Sequence, residues 1–475
     1  MLVKTTKRII ARECLSIIKT KRHHLNTAST TELVQSIDDI PSPKSLPIFG
    51  TTLSFLMSGS GRKLHEYIDK RHHQLGSIFK ETIGPTSAIF ISNPNDIRTL
   101  FANEGKYPTH FFPDPWILYN ETHGCSRGLF FMNGEEWLKN RKIMNKFLLR
   151  GDFKWIDDSC MVVVEDLLKR FLNNHNKLEE NLYTWSLETL ISVLLGAESY
   201  QKNKHFIRED IEDLSKVVHL IFEKTCKFSI IPAKLASTLN LPQWTQFEST
   251  VTTALDNTKN LVEILVKDYS KNSTGLLSKM LTVFDMETLT KIVTDLIIAS
   301  GDTTSHSMEF ILYLIGKHQN VQNNLFKSLK SGPNPPILKG IFKEGLRLYP
   351  VAPFLTRFLA QDTILNGYKV PKNTLVIASI YTTGRDSNYY ENSNEFKPER
   401  WMRTNDVSMQ QILPFAIGAR SCIGRRIAEA QIMITLAEIV KIFNVTLKNN
   451  QKEIEMILKM VAIPSRTIEL NFTPR

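Results

Sequence analysis

The chain has 475 residues, 42% of them hydrophobic, which suffices for one large domain or two to three smaller ones. A formal charge of +11 at pH 7 points to an acidic partner, a nucleic acid or an anionic membrane surface. The 20 prolines, spread along the chain, argue against a long fibrous element, and the 5 cysteines, with no zinc or redox spacing, argue against a disulfide framework. A reducing compartment fits this cysteine usage.

Residues 1–30 differ in composition from the rest of the chain. They carry seven basic residues and one acid, with short apolar runs at roughly helical spacing. This pattern is typical of a mitochondrial transit peptide. The alternative is a disordered basic tail that binds anionic surfaces. Most of the excess positive charge lies in this leader, which weakens a nucleic-acid interpretation. No later stretch reaches 18 consecutive apolar residues, so any membrane contact is expected to be peripheral.

The remaining chain reads as one continuous domain over residues 51–475, preceded by a proline-rich lead-in at 31–50. Two strands are predicted around Gly84-Pro85, and helices from Asn95 to about Asn324, with Asn95 and Asp210 as candidate caps. Strand patterns return at 356–379. The fold class is therefore mainly α with a minor β lobe.

A first pair of candidate residues, Trp137 and Arg141, lies at i, i+4 on a predicted helix. The spacing places both side chains on one face, where they can hold an anionic group. Ordinary packing with a solvated arginine explains the pair equally well.

An apolar helix at 295–307 is interrupted by Gly301, Asp302 and Thr303. A glycine inside a helix costs about 1 kcal/mol relative to alanine. A break here can open room for a diatomic ligand, and a carboxylate with a hydroxyl can pass protons to bound oxygen. The alternative is a surface helix with a polar end, which the apolar residues before the break argue against.

Glu344 and Arg347 lie at i, i+3 on another predicted helix, and Arg400 follows in an aromatic frame. A buried glutamate shared by two arginines would fix the loop that leads to Cys422. An exposed ion pair, which contributes little to stability, is the alternative.

The most specific segment is FAIGARSCIG, residues 415–424. A cysteine thiolate is a suitable haem-iron ligand, and the helix predicted after Cys422 would stabilise its charge. Gly424 permits close approach of a flat porphyrin, and Arg420 can pair with a haem propionate. Phe415 can shield the sulfur from water. A buried cysteine before a helix would not explain this whole set.

Together these motifs resemble the cytochrome P-450 family of haem-thiolate monooxygenases, in the family's order and from about Pro41 onward. The resemblance implies the family's triangular prism fold and haem b, iron-protoporphyrin IX, with the Cys422 thiolate as axial ligand. It implies that Asp302 and Thr303 serve oxygen activation. It also implies that four residues hold the propionates: Arg420, Trp137, Arg141 and Arg357.

Three segments, EGKYP (104–108), LKGIFKE (338–344) and GRRIAE (424–429), resemble the mitochondrial branch of the family. That branch receives electrons from NADPH through a ferredoxin reductase and an acidic mitochondrial ferredoxin, on the matrix side of the inner membrane. The resemblance implies ferredoxin contacts at Lys339 and Lys343, extended by Arg425 and Arg426. Solvation alone is the alternative for these lysines.

Residues 126–152 resemble insect ecdysteroid 2-hydroxylases, which implies conversion of 2-deoxyecdysone to ecdysone. Hydroxylation of a related steroid at carbon 22 or 20 is an alternative, as is a haem-thiolate isomerase, dehydratase or sensor that does not activate oxygen. A basic membrane- or nucleic-acid-binding protein without haem is a third interpretation, and it depends on charge alone. The apolar segment 228–242 is expected to rest on the membrane and admit a lipophilic substrate.

The chain departs from the family pattern at two places. The family usually has glycine where this chain has Ser300, and here the glycine comes one residue later, at Gly301. The oxygen cleft is therefore expected to differ in shape or hydration. The segment 323–340 is about ten residues shorter than usual.

Overall fold

A computed structural model describes residues 34–44, 51–84, 86–173, 177–228, 231–269, 274–402, 412–449 and 451–475. The predicted transit peptide at 1–30 lies outside these residues, as do 31–33 and 45–50 of the lead-in. Within the described part of the lead-in, Gln35–Ser36 pairs with a strand near residue 368, so this segment is part of the fold.

Helices form most of the described chain. In chain order they are α1 Thr52–Met57, α2 Leu64–Leu75, α3 Pro94–Ala102, α4 Asp114–Thr122, α5 Gly134–Leu148, α6 Lys154–Asn173, α7 Leu178–Leu195, α8 Ala197–Thr225, α9 Ala233–Thr238, α10 Pro242–Ile264, α11 Leu276–Leu281, α12 Met286–Lys317, α13 Gln319–Leu329, α14 Pro336–Leu348, α15 Ile380–Arg385 and α16 Arg425–Ile442. The predicted mainly α class is confirmed.

The strands are short and form small separate sheets. They are β1 Gln35–Ser36, β2 Ile78–Ile83, β3 Thr86–Ile91, β4 Phe354–Phe358, β5 Thr363–Leu365, β6 Tyr368–Val370, β7 Leu375–Ser379, β8 Phe443–Leu447, β9 Met456–Lys459, β10 Val461–Pro464 and β11 Leu470–Pro474. The largest sheet has the order β2-β3-β7-β4, in which β3 and β7 run parallel and the other pairs antiparallel. This sheet contains the hairpin predicted around Gly84-Pro85.

The centre of the helical part is formed by α7 and α12, which pack against each other. Every residue from Thr304 to Gly316 is buried, as is every residue from Ser186 to Leu195. A helix that is buried on all sides is a core helix, and side chains on it are held rigidly. Polar residues on α12 therefore have fixed positions.

Two predicted caps are wrong. Asn93, not Asn95, caps α3 by accepting a hydrogen bond from the Asn95 N–H at 2.8 Å, because Pro94 takes the first helical position. Asp210 lies inside α8. Among the described residues, no helix is both long and apolar enough to span a membrane.

Candidate active site

The loop before α16 is folded tightly around Cys422. The Cys422 N–H donates to the Phe415 carbonyl at 2.9 Å, which closes the loop on itself. Gly418 has φ +83°, and a Cβ there would lie 2.2 Å from the Glu104 carboxylate. Only glycine meets both conditions. The loop is thus fastened to Glu104, which also accepts the Ala419 N–H.

The surroundings of Cys422 oppose and favour its ionisation at the same time. Burial raises the pKa of the thiol, whereas the Gly424 N–H and the charges of Arg141 and Arg425 lower it. The residue is nevertheless exposed. Burial outweighs the favourable charges, so the pKa of the Cys422 thiol is raised.

Arg141, Arg357 and Glu104 lie beside this loop, and Arg420 lies within it. Arg357, on β4, donates from Nε to Glu104 Oε2 at 2.7 Å, and both side chains are buried. Arg141 donates to the Ser421 carbonyl. Burial lowers the pKa of Arg141 to about 10, and burial with the charges of Arg357 and Arg141 lowers the pKa of Arg420 to about 10. The cluster carries more positive charge than Glu104 offsets.

Arg420 lies with its guanidinium 4.3 Å from the centre of the Trp137 ring. Its nitrogens donate to the carbonyls of Pro108, at 2.6 Å, and Met132, at 2.5 Å. In this geometry Arg420 holds the chain around residues 108–133 against the cysteine loop. Its expected contact with a propionate stays a prediction.

The residues at this site fit a haem. The buried Arg141 Nε and Arg357 Nη2 atoms have no hydrogen-bond partner, and neither ring nitrogen of His110 has one. Burial lowers the pKa of His110 to about 3, so its ring is neutral and has one N–H to donate. Unpaired buried donors beside surplus positive charge match the carboxylates of propionates, and the Cys422 thiolate matches the iron.

Sequence reasoning missed Glu104 and His110. Both lie in the stretch that includes EGKYP, but single residues far from the cysteine loop gave no indication of contact with it. A cation cluster predicted to hold an anion should also contain an acid that offsets part of its charge, and this was the available signal.

The structure brings Glu344, Arg347 and Arg400 together. Arg347 donates to both Glu344 oxygens, at 2.7 and 2.9 Å, and Arg400 Nε donates to Oε1 at 2.9 Å. Trp401 Nε1 adds a bond of 2.8 Å. The side chains of Glu344 and Arg347 are both 0% exposed. An exposed ion pair is thus ruled out, and the glutamate joins α14 to the segment around residue 400.

The expected break in α12 is wrong, because the helix is continuous through Ser300, Gly301 and Asp302. Gly301 instead faces α7: a Cβ there would lie 2.5 Å from the Tyr183 hydroxyl oxygen. The missing side chain provides room for the Tyr183 ring rather than for a diatomic ligand. Ser186 on α7 supports the same turn by donating to the Ser300 carbonyl at 2.9 Å.

Asp302 and Thr303 make their hydrogen bonds to different partners. Asp302 is 2% exposed and accepts from the Tyr183 hydroxyl at 2.9 Å, with His219 Nδ1 at 3.2 Å from its other oxygen. Thr303 Oγ1 donates to the Ala299 carbonyl at 2.8 Å. Burial opposes ionisation of Asp302, but His219 and His306 outweigh it and lower the pKa. Their predicted role in oxygen activation stays a prediction.

The predicted ferredoxin contacts cluster on one basic surface. Lys339 is exposed, and Lys343 is half-buried with Nζ 5.3 Å from the Trp401 ring centre. Burial and the like charges of Lys339 and Arg425 lower the pKa of Lys343. Arg425 and Arg426 have side chains 53% and 50% exposed, and both pair with Glu429. This surface adjoins the cysteine loop, since the charge of Arg425 is close enough to Cys422 to lower the pKa of its thiol.

Comparison with known proteins agrees with this geometry. The family model described as Cytochrome P450 matches residues 40–472. Cytochrome P450 315a1, mitochondrial, of Drosophila melanogaster is 37% identical and covers 92% of this chain and 88% of its own length. The 1,25-dihydroxyvitamin D(3) 24-hydroxylase, mitochondrial, of Mus musculus is 26% identical, with 93% and 90% covered. The cholesterol side-chain cleavage enzyme, mitochondrial, of Hypanus americanus is 25% identical, with 85% and 84% covered.

Proposed function

This chain belongs to the cytochrome P450 family and is a monooxygenase of the mitochondrial type, and we propose that it hydroxylates a steroid with electrons from a ferredoxin. The specific reaction proposed is 2-hydroxylation of 2-deoxyecdysone to ecdysone. The observation that carries the proposal is the 37% identity to the mitochondrial insect P450, together with the resemblance of residues 126–152 to ecdysteroid 2-hydroxylases. Two of the less similar relatives are named for 1,25-dihydroxyvitamin D(3) and for cholesterol.

Family membership implies a haem bound through the Cys422 thiolate, and the haem, when bound, supplies the electron-transfer and oxygen chemistry. Arg141, Arg357 and His110 would hold its propionates through their unpaired nitrogens. The Gly424 N–H and the charge of Arg141 would stabilise the thiolate. Phe415 would keep water from the sulfur.

Other residues of the chain would move protons during the reaction. Thr303 would hold a proton at Oγ1, which now bonds to Ala299 O, and release it toward the substrate side. Asp302 would receive protons through His219, the half-buried ring that contacts it. Its other contact, Tyr183, keeps the carboxylate oriented.

Electrons would arrive through the basic surface on the cysteine side, where an acidic ferredoxin fits Lys339, Lys343, Arg425 and Arg426. The reductase would use NADPH, and the protein would act on the matrix side of the inner mitochondrial membrane. Residues 231–242 of the apolar segment 228–242 would contact the bilayer peripherally, since Leu235 and Leu239 are 51% and 58% exposed.

Turnover of 2-deoxyecdysone by the full chain, with an NADPH–ferredoxin reductase and a mitochondrial ferredoxin, tests the proposal. A product one oxygen heavier, with the hydroxyl on carbon 2 by NMR, is expected. Thr303→Ala should consume more oxygen per product, while Thr303→Ser should stay close to the parent. Absence of product, from protein whose reduced carbon-monoxide spectrum shows an intact thiolate ligand, would overturn 2-hydroxylation and direct attention to carbons 22 and 20.

A further inference from the structure

Titratable side chains from three helices meet beside Asp302. Glu179 comes from α7, His219 from α8, and His306 and Glu309 from α12. One ligand atom each of Glu179, His219 and His306 can be chosen so that all three lie within 4.8 Å of one another. The family motif does not include any of these four residues, and none of the roles described above requires Glu179, His306 or Glu309.

We propose that Glu179, His219 and His306 form a binding site for a divalent transition-metal ion such as Zn²⁺. Two histidines and one glutamate, with a remaining position for water, are a ligand set that zinc accepts. Around one zinc ion, such atoms lie about 3.4 Å apart. Glu179 is exposed and can move to close the difference, whereas His306 is fixed in the core.

His306 is the independent observation that points to a cation. It is 1% exposed, and its Nε2 atom makes no hydrogen bond, since the carboxylate of Asp302 lies 3.6 Å away in a longer ion pair. Its Nδ1 atom lies 2.6 Å from Glu309 Oε2. A carboxylate on one ring nitrogen orients the other nitrogen for a metal and raises its basicity, which is the arrangement found behind histidine ligands of metals.

The local charges favour a cation at the same place. Asp302 Oδ1 lies 3.6 Å from His306 Nε2, so Asp302, Glu309 and Glu179 surround two imidazole rings. Burial opposes a positive charge on His306, yet the two neighbouring carboxylates raise its pKa to about 10. A metal ion bound at Nε2 would supply the positive charge that a proton otherwise supplies. Solvent reaches the cluster through the exposed Glu179 and the half-buried His219.

An ion at this site would occupy a nitrogen of the His219 ring, whose Nδ1 lies 3.2 Å from Asp302 Oδ1, so that the ring could no longer relay a proton. If protons reach Asp302 through His219, Zn²⁺ would slow turnover. This consequence rests on the proposed monooxygenase mechanism, whereas binding of the ion does not.

The test is a titration of the full chain with Zn²⁺ alone, measured by isothermal titration calorimetry. The chain has 12 histidines that give background binding, so the measure is the difference between variants. The parent is expected to bind one more equivalent than His219→Ala, and Glu179→Gln and Glu309→Gln should weaken that equivalent about 10- to 100-fold. The control is His123→Ala, whose ring pairs with Glu248 at 3.3 Å, and it should bind like the parent.

Equal stoichiometry and affinity in the parent, His219→Ala and Glu179→Gln would overturn the site. Glu179→Gln changes only an exposed side chain, so a folding defect cannot explain its result. In a second arm, the Zn²⁺ concentration that halves turnover is compared with each variant's own zinc-free rate. The Zn²⁺ concentration that halves turnover is expected to be about 10- to 100-fold higher for Glu179→Gln than for the parent. Zinc binding without any steroid turnover would retain the site and reject the proposed reaction.

Discussion

The ring of Tyr183 occupies the space that a side chain on residue 301 would need. An ideal Cβ at Gly301 lies 2.5 Å from the Tyr183 hydroxyl oxygen and 2.6 Å from the ring carbon that bears it. The same hydroxyl donates to Asp302 at 2.9 Å. The glycine one residue after the usual family position is therefore explained by the tyrosine on α7, and the position of Asp302 depends on both residues.

Gly301→Ala should lower the free energy of unfolding by about 1–2 kcal/mol. Forcing a methyl group to within 2.5 Å of a buried tyrosine side chain costs about 2–3 kcal/mol, the upper part of the usual range for overpacking, and alanine recovers roughly 1 kcal/mol over glycine in a helix. The midpoint of urea unfolding measures this. Ser300→Ala is the matched control and should change the free energy by no more than about 0.5 kcal/mol. A Gly301→Ala variant as stable as the parent would contradict the close contact.

Glu344→Gln should destabilise the protein by about 3–5 kcal/mol, because it leaves the buried Arg347 guanidinium without its counter-charge. Thermal unfolding is the measurement, and loss of bound haem should accompany the lower midpoint. Glu399→Gln, an exposed residue of the same segment as Arg400, should unfold like the parent. If Glu344→Gln unfolded at the same temperature as Glu399→Gln and the parent, the Glu344 network would not contribute to stability.

Charge reversal at Lys343 should weaken the productive encounter with ferredoxin. Lys343→Glu and Lys339→Glu are each expected to raise the ferredoxin KM about 10-fold at low salt, and less at 0.5 M salt, because ions screen the attraction. Steady-state turnover at varied ferredoxin concentration measures it. Lys372→Glu, between β6 and β7, is the control of equal charge change. An effect of the same size there would mean that net charge, not this surface, governs the encounter.

Acid should destabilise the contact between α2 and β7 through His72. Burial lowers the pKa of His72 to about 4, while its ring bonds to Ser379 Oγ at 2.8 Å and Gly76 O at 3.0 Å. The folded pKa lies below the ordinary 6.5, so the unfolded chain binds the extra proton between these values. The contribution of His72 is complete above pH 6.5 and falls by about 1.4 kcal/mol per pH unit down to pH 4.

Urea unfolding from pH 4 to 7 measures that slope. His72→Gln should be less stable than the parent at pH 7 but should lose less stability on acidification. His73→Gln, whose ring is 79% exposed, is expected to retain the slope of the parent. Identical slopes in the parent and His72→Gln would exclude His72 as the cause.

Local patterns were readable from the sequence because their partners are close in the chain. The pair Glu344–Arg347 spans one helical turn, and the cysteine loop closes between Phe415 and Cys422. Arg400 is distant in the sequence, and it was predicted to contact Glu344 only because the aromatic residues around it suggested burial. The hairpin at Gly84 was readable for the same reason, since its turn residues separate two alternating strands.

Contacts between distant single residues were not readable. Nothing near Glu104 indicated Gly418, and nothing near Tyr183 indicated Gly301. The helix break was predicted wrongly because Gly301, with the polar Asp302 and Thr303, looks out of place in an apolar helix. The hydroxyl of Thr303 instead donates to the Ala299 carbonyl within the same helix, and that of Ser300 to the Ile297 carbonyl. Polar side chains that bond to their own helix do not end it.

The parallel pairing of β3 with β7 has a consequence for the order in which the chain folds. Ile89 lies beside Val376, so the β2-β3-β7-β4 sheet joins segments that are 287 residues apart in the sequence. Closing a loop of that length costs entropy before the contacts compensate for it, so the β2–β3 hairpin waits for β7 until late in folding. Over that interval its apolar edge is exposed, which makes this hairpin a natural target for a chaperone.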